Sequence, residues 1–125
     1  MKKVLVVDDS ATMRRMVMVS LRGLSEVQFQ EAGSGLEAIE QLALGPVDLM
    51  ILDLNMPDIH GLEVVQFVNA HTPYRAIPIV VLTTRGDEGS RGTALAAGAA
   101  LYLTKPFDPS ELAAHTRKLL NLEPR

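Results

Sequence analysis

The chain has 125 residues, of which 47% are hydrophobic and 22% charged, and its formal net charge is −3. This length suits one globular domain, with a core that buries roughly two-thirds of the unfolded surface. The absence of cysteine excludes a disulfide framework, a thiolate zinc site and a cysteine nucleophile. No apolar run reaches the ~18 residues of a membrane span, and the first is too short for a signal peptide. We therefore predict a cytoplasmic protein without a membrane span, whose mild acidity disfavours nucleic acid as the main partner.

Apolar runs and helical patterns alternate five times along the chain. Short runs rich in Val, Ile and Leu predict strands, most of them buried on both faces. The predicted strands are Lys3–Val7, Val27–Glu31, Leu49–Leu52, Ile77–Leu82 and Ala100–Thr104. Capping residues and glycine or proline stops delimit the helices. The first predicted helix is Ala11–Arg22, and the second is opened by a capping box at Ser34–Glu37 and ended by Gly45-Pro46. The third is Leu62–Ala70, and the fourth is short, rich in alanine and closed by Gly98. The fifth covers residues 109–120, after the N-cap Asp108.

Five strand–helix units in one chain require parallel pairing with right-handed crossovers. The predicted fold is therefore an α/β domain over residues 1–125, with a doubly wound parallel sheet between two layers of helices. Gly86, Gly89 and Gly92 predict a loose connection before the fourth helix. The length leaves no room for an effector domain, so we expect the output to pass through another protein.

Polar side chains follow four of the predicted strands. They are Asp8 and Asp9, Asp53, Thr83 and Lys105. One aspartate after a strand is usually a helix cap or a turn residue. However, ligands of open parallel sheets bind outside the carboxyl ends of the strands. Four strand ends that carry such side chains therefore predict one common site.

The charges at this site indicate its ligand. Two carboxylates ~5 Å apart repel by about 3 kcal/mol at an effective dielectric constant of ~20, so three such pairs cost roughly 10 kcal/mol. That cost is comparable to the stability of a whole domain, so the cluster must bind protons or a cation. Oxygen ligands favour Mg²⁺, with Mn²⁺ as the alternative. Because Mg²⁺ prefers one or two carboxylates together with phosphate oxygens, we expect a phosphoryl ligand.

The phosphate cannot be held by a P-loop, because the motif G-x-x-x-x-G-K-[ST] is absent. Gly33-x-Gly35-x-x-Ala38 matches a dinucleotide fingerprint, but it lies on the second unit and we interpret it as a helix start. A carboxylate can itself accept a phosphoryl group. Asp53, at the end of the predicted central strand, is the best candidate.

With these residues in place, the chain resembles the response-regulator receiver domains of the CheY-like family, from Lys3 to about Leu120. The motifs that carry the resemblance are Val-Asp-Asp-Ser at 7–10, Asp-Leu-Asn-Met-Pro-Asp-Ile-His-Gly at 53–61, Leu-Thr-Thr at 82–84 and Tyr-Leu-Thr-Lys-Pro-Phe at 102–107. The resemblance implies a flavodoxin-like fold with strand order 2-1-3-4-5. It further implies a stand-alone regulator of a two-component system, of the chemotaxis or motility type.

The resemblance also implies how the site binds its metal. Asp53 accepts the phosphoryl group from the phosphohistidine of a histidine kinase or from a small phosphodonor. Asp9 binds Mg²⁺ directly and Asp8 partly through water. Asp53 and the backbone carbonyl of Asn55 are the further ligands.

The same resemblance implies a switch. Lys105 pairs with the phosphoryl oxygens, and the Lys105-Pro106 bond is cis. Thr83 binds the phosphoryl group and draws the next loop towards it. Tyr102 then moves inward and changes the face formed by helix 4, strand 5 and helix 5. The implied partners are a phosphodonor kinase, a phosphatase and a phosphorylation-dependent target such as the flagellar motor switch.

Other functions stay open at this point. A phosphorelay intermediate or a scaffold-binding receiver would use the same site. An aspartate-nucleophile phosphohydrolase would need an acid two residues after the nucleophile, where Asn55 stands. A pure interaction module with a vestigial site is disfavoured, since all the site residues are present.

Several residues receive a plain structural interpretation. We expect the methionines of helix 1 to fill the core. Arg14 and Arg15 are expected to lie on a solvated face rather than at a kinase docking surface. Asp58 is expected to be a turn residue rather than a fourth acidic ligand. His60, His71 and His115 show no ligand spacing. Outside the resemblance, Tyr102 would be an exposed strand residue. Arg85, two residues after Thr83, is expected to influence the lifetime of the phosphoryl group.

Overall fold

The computed structural model describes residues 1–84 and 89–122. Its five strands are β1 (Lys2–Val7), β2 (Val27–Ala32), β3 (Leu49–Leu52), β4 (Ile79–Thr84) and β5 (Leu101–Lys105). Its helices are α1 (Ala11–Ser20), α2 (Gly35–Leu44), α3 (Gly61–Ala70), α4 (Gly89–Ala97) and α5 (Pro109–Leu119). Every strand pairs in parallel, in the order β2-β1-β3-β4-β5. The predicted flavodoxin-like, doubly wound fold is confirmed.

The sheet separates two apolar cores, because alternate residues of each strand point to opposite faces. The first core joins Leu5, Met50 and Val81 to helices α2, α3 and α4. The second joins residues such as Val6 and Ile51 to α1 and α5. The central strands are thus buried on both faces, as their continuous apolar sequences predict.

Most element boundaries agree with the sequence predictions, and the differences have local causes. Helix α1 ends at Ser20 rather than Arg22, since the amide of Leu21 is shared between the carbonyls of Val17 and Met18 and the last turn tightens. Strand β4 begins two residues late, at Ile79, because Ile77 N–H closes a turn on Tyr74 at 2.9 Å.

The predicted loose connection before α4 is wrong at Gly89, which is the first residue of that helix, and at Gly92, which lies inside it. Gly86 and Arg85 lie outside the described residues. Within the described residues, no helix is long and apolar enough to cross a membrane.

Candidate functional site

Strand pairing brings the predicted site residues together at the carboxyl edge of the sheet. Val7 of β1 is paired with Leu52 of β3, so Asp8 and Asp53 leave neighbouring strands at the same level. The amide of Asp53 donates to the carbonyl of Val7 at 3.0 Å. On the other side, Thr84 is paired with Lys105, the last residue of β5. The site therefore lies where the chain changes direction across the sheet, between β1 and β3.

Asp8 forms a buried ion pair with Lys105. The lysine Nζ lies 2.7 Å from Asp8 Oδ2, and the two side chains are 12% and 6% exposed. The other carboxylate oxygen of Asp8 accepts a hydrogen bond from the Ser10 amide at 2.9 Å. Both partners therefore hold Asp8 in one orientation. The Lys105-Pro106 peptide bond is cis, as the resemblance implied.

Asp53 is buried without full compensation of its charge. It is 5% exposed, and among the described residues its Oδ1 accepts no hydrogen bond. Lys105 Nζ lies 3.7 Å from this oxygen. Burial raises the pKa of the Asp53 carboxyl, and the negative charge of Asp8 adds to the rise. The positive charge of Lys105 and hydrogen bonds from the Asn55 backbone and the Thr83 side chain act in the opposite direction without cancelling it. A buried carboxylate oxygen without a donor is a position that favours a cation or a covalent substituent.

The side chain of Asn55 links the site to β4. Its amide donates to Thr83 Oγ1 at 3.2 Å and more weakly to Thr84 Oγ1 at 3.4 Å. Thr83 is fully buried. The sequence interpretation placed Asn55 at the metal through its backbone carbonyl and beside the path of the hydrolytic water, and it missed this cross-sheet contact of the side chain. Only the packing of β3 beside β4 reveals it.

Asp8, Asp9 and Asp53 form a group that could hold a metal ion. Each offers a carboxylate oxygen, and these atoms all lie within 4.8 Å of one another. Asp9 is exposed and, in the described part of the chain, makes no hydrogen bond or ion pair, so its carboxylate is available as a ligand. Hard oxygen donors, together with the orphaned oxygen of Asp53, fit Mg²⁺. The predicted convergence of the three carboxylates is confirmed.

Tyr102 differs from the expectation of an exposed residue. It is 4% exposed and packs in the core on the α4 side of the sheet. The guanidinium of Arg91 lies 5.8 Å from the centre of its ring, within the range of a cation–π contact. The buried Ala94 of α4 belongs to the same core. An inward position of Tyr102 is thus present in this structure.

Two expectations for α1 are wrong. Arg14 is only 18% exposed at its side chain, donates to the Asp8 carbonyl at 2.7 Å and contacts Glu31 Oε1 at 2.9 Å. Arg14 thus reaches Glu31 of β2, whereas Arg15 is exposed as expected. Of the methionines, Met18 packs against the second core as expected, whereas Met16 is 50% exposed and does not fill the core.

The histidines and Asp58 have structural roles. His60 caps α3, with its Nδ1 accepting from Leu62 N–H at 3.1 Å. His71 stacks on Phe67. None of the three histidines joins a metal-binding group within the described ranges. Asp58 is no fourth acidic ligand: its carboxylate accepts hydrogen bonds from the start of α2.

A parallel sheet with three carboxylates, a buried threonine and a lysine at its carboxyl edge defines the class of signal-receiver domains. The chain belongs to the response regulator receiver domain family, whose model matches residues 4–117. The chemotaxis protein CheY1 of Helicobacter pylori (strain J99) is 43% identical over 111 residues, which cover 88% of this chain and 90% of the relative.

Solved structures agree with this assignment. Chemotaxis response regulator CheY4 of Vibrio cholerae has a TM-score of 0.85 and 34% identity, and the match covers 95% of this chain and 98% of CheY4. The receiver domain of a signal transduction histidine kinase from Syntrophus aciditrophicus has a TM-score of 0.88 and 30% identity, over 97% of this chain and 91% of that domain. The protein is therefore a CheY-like receiver domain of a response regulator.

Proposed function

We propose that this chain is a stand-alone response regulator in which Asp53 accepts a phosphoryl group from a histidine kinase, with Mg²⁺ bound. The observation that carries the proposal is the buried Asp53 carboxylate, with one oxygen unbonded and Lys105 Nζ 3.7 Å away. The similarity to CheY1, of whose length the match covers 90%, supports a single-domain regulator of the chemotaxis type. The predicted cytoplasmic location stays a prediction.

Four groups would hold the metal: the carboxylates of Asp8, Asp9 and Asp53 and the backbone carbonyl of Asn55. When bound, Mg²⁺ neutralises charge on the phosphoryl oxygens and orients them for in-line attack. Mn²⁺, which accepts the same oxygen ligands, is the alternative ion. Asp9 is the accessible carboxylate, whereas Asp8 is already engaged by Lys105 and Ser10. This difference supports direct binding by Asp9 and a partly water-mediated contact by Asp8.

The transfer itself needs little from the protein beyond position and charge. A carboxylate oxygen of Asp53 forms a bond to phosphorus while the P–N bond to the kinase histidine breaks, and the released imidazole takes up a proton. Lys105 would turn from Asp8 and Asp53 to the new phosphoryl oxygens, since both anions lie within 3.7 Å of its Nζ. The Thr83 hydroxyl, at present the acceptor from Asn55, would donate to the phosphoryl group.

The same Thr83 would connect phosphorylation to an output surface. A phosphoryl group adds roughly −1.5 to −2 charges and three acceptor oxygens, enough to reorganise the hydrogen bond between Asn55 and Thr83. We propose that Thr83 and the buried Tyr102 change the face of α4, β5 and α5, to which a partner protein binds. The relatives that are named as chemotaxis proteins make the flagellar motor switch our first candidate for that partner.

An apolar groove beside the site is suited to the phosphodonor. It has a volume of about 420 Å³ and lies between α1 and the turn after β5, with Met13, Met16, Val19 and Phe107 among its lining residues. Arg15 also lines it, so this proposal departs from the sequence-based expectation that Arg15 lies away from a kinase docking surface. Half of Met16 and half of Val19 are exposed, although apolar side chains of this size favour burial. We propose that a helix of the kinase, or of a histidine phosphotransfer protein, covers this groove.

Phosphorylation is tested by incubating the protein with acetyl phosphate and Mg²⁺. The expected result is a mass increase of one phosphoryl group that depends on the metal and is lost in Asp53→Asn. No mass change and no binding of beryllofluoride would overturn the proposal.

The alternative functions are separated by two further assays. If a catalytic amount of the protein hydrolyses an excess of a phosphate ester over many turnovers, the phosphohydrolase is favoured instead. A pull-down with and without beryllofluoride then separates a motor-switch target from a phosphorelay or scaffold partner.

The groove is tested by comparing two phosphodonors. Met16→Asp is expected to slow transfer from the kinase at least tenfold, about 1.4 kcal/mol, with the rate from acetyl phosphate unchanged. Leu44→Asp is the matched control, because Leu44 is 77% exposed at the end of α2 and outside the groove. Equal rates for both variants with the kinase would exclude docking at this groove.

A further inference from the structure

The loop between β3 and α3, residues 53–60, carries two of the groups that the proposed function assigns to the metal site. Asp53 and Asn55 lie in its first half. This half is held by strand β4 through Asn55 and by Gly61, whose N–H donates to the Leu54 carbonyl at 2.8 Å. The second half contains Asp58, which is exposed and has no contact with the acidic cluster in the described structure. Because both halves belong to one short backbone segment, the anchor of the second half also constrains the position of the metal ligands in the first.

Asp58 binds the start of helix α2. Its Oδ1 accepts from the amide of Gly35 at 3.1 Å, and its Oδ2 accepts from the amide of Leu36 at 2.9 Å. These are the first two amides of the helix, which have no partner inside it. A carboxylate is favoured there by the helix dipole as well. The pKa of Asp58 is lowered by backbone hydrogen bonds, of which the one from Leu36 has the largest effect, so the side chain is ionised at neutral pH.

The backbone of the loop also lies directly against the start of α2. A Cβ added at Gly35 would stand 3.0 Å from Ile59 Cβ and 3.2 Å from the Ile59 carbonyl oxygen. A side chain at this position would require the neighbouring loop atoms to shift by a few tenths of an ångström. Within the pattern at 33–38, which resembles a dinucleotide fingerprint, Gly35 thus has a packing reason. Two hydrogen bonds and one tight contact together join the loop to the helix.

From this geometry we infer that Asp58 is a positioning residue of the metal site, which orients the Asn55 carbonyl and the Asp53 carboxylate by fastening their loop to α2. The inference rests on the proposed function, because it concerns the same metal site. It assigns a role in Mg²⁺ binding to a carboxylate that does not touch the metal. Groups that fix the orientation of metal ligands commonly change metal affinity when they are removed, and Asp58 acts on Asp53 and Asn55 through the loop backbone that carries them.

The test uses two variants that remove capping bonds from the same helix. Asp58→Ala removes the bonds from the loop, whereas Ser34→Ala removes the local cap, in which Ser34 Oγ accepts from Glu37 N–H at 3.1 Å. Mg²⁺ affinity is measured by NMR from the backbone amide shifts, without any phosphodonor. We expect Asp58→Ala to weaken Mg²⁺ binding about tenfold and Ser34→Ala to leave it within about twofold while lowering the unfolding midpoint.

Asp58→Asn keeps one acceptor oxygen and is expected to lie between Asp58→Ala and the wild type. Hydrogen exchange of the Gly35 and Leu36 amides, measured without metal, should accelerate in Asp58→Ala, whereas the Ala38 amide, which donates to the Ser34 carbonyl inside the helix, should stay protected and so report that α2 still forms. Equal Mg²⁺ affinities in Asp58→Ala and the wild type, or equal losses in Asp58→Ala and Ser34→Ala, would overturn the inference while leaving the proposed function intact. A wild-type protein that binds no Mg²⁺ would overturn both.

Discussion

Replacing Lys105 by methionine tests the charge balance of the site most directly. The change keeps the length and apolar stem of the side chain and removes a cation that lies 2.7 Å from Asp8 and 3.7 Å from Asp53. At an effective dielectric constant of about 20, these pairs correspond to gross attractions of about 6 and 4.5 kcal/mol. Desolvation of the three groups offsets much of this attraction. Breaking a buried pair by removing one partner typically costs about 3–5 kcal/mol, so we expect a loss near 3 kcal/mol without metal.

Mg²⁺ should reverse much of that loss, because the ion replaces the missing positive charge. A ligand that binds only the folded state stabilises it by about 2.7 kcal/mol at one hundred times its dissociation constant. Removing the competing lysine should also tighten Mg²⁺ binding to Asp8 and Asp53. The stabilisation by a given Mg²⁺ concentration is therefore expected to be larger in Lys105→Met than in the wild type.

The assay is urea denaturation at pH 7, followed by circular dichroism, once with EDTA and once with Mg²⁺. Lys118→Met is the matched control, since Lys118 is exposed on α5 and its replacement should change stability by less than about 0.5 kcal/mol. The reasoning is refuted if Lys105→Met resembles this control in EDTA. It is refuted equally if Mg²⁺ stabilises Lys105→Met no more than the wild type.

Three further predictions follow from the contacts around the site. Because the raised pKa of Asp53 means that its charge costs stability above that pKa, Asp53→Asn should be more stable than the wild type at pH 7 in EDTA. This gain in stability should shrink as the pH falls through the pKa of Asp53 in the folded protein, because the wild-type carboxyl becomes protonated. Urea midpoints measured over this pH range test the prediction. A stability difference that does not depend on pH would contradict the raised pKa of Asp53. Arg14→Gln should lower the free energy of unfolding by about 1–3 kcal/mol, because it loses the bond to the Asp8 carbonyl, whereas Arg15→Gln should lower it by less than about 0.5 kcal/mol. The same denaturation assay measures both variants, and equal losses would show that Arg14 is as solvated as its neighbour. Gly61→Ala places a Cβ 2.5 Å from the Asp53 carbonyl oxygen, so a thermal midpoint lower by at least about 4 °C is expected, and an unchanged midpoint would count against this close approach.

The fold could be predicted from the sequence because each local signal agreed with the others. Apolar runs that end in polar side chains marked the strands, and Ser34 and Asp108 marked helix starts, where both cap as expected. Parallel pairing then followed from the alternation of strands and helices. Boundaries were less predictable, since the ends of α1 and β4 depend on individual turn hydrogen bonds.

The candidate site was predictable for the residues that follow strands, and not for those that reach it from elsewhere. Asp8 and Asp53 stand directly after paired strands, so their approach is a consequence of strand order. Arg14 and Asp58 carried no such signal: an arginine on a helix and an aspartate in a turn are usually solvated. Their partners lie 6 to 23 positions away, and only packing determines which of them come within reach.

The sequence alone therefore determined the order of the elements, the acidic cluster and its need for a cation, because these follow from local patterning and from the strand ends on which the charges stand. Tertiary structure alone decided how the cluster is held. It buried Asp53 with an oxygen that lacks a donor, paired Lys105 with Asp8, turned Tyr102 inward and joined Asp58 to α2. The physical reason is that hydrogen bonds and ion pairs act over about 3–4 Å. Which groups come within that distance of each other is decided by how the helices pack on the sheet.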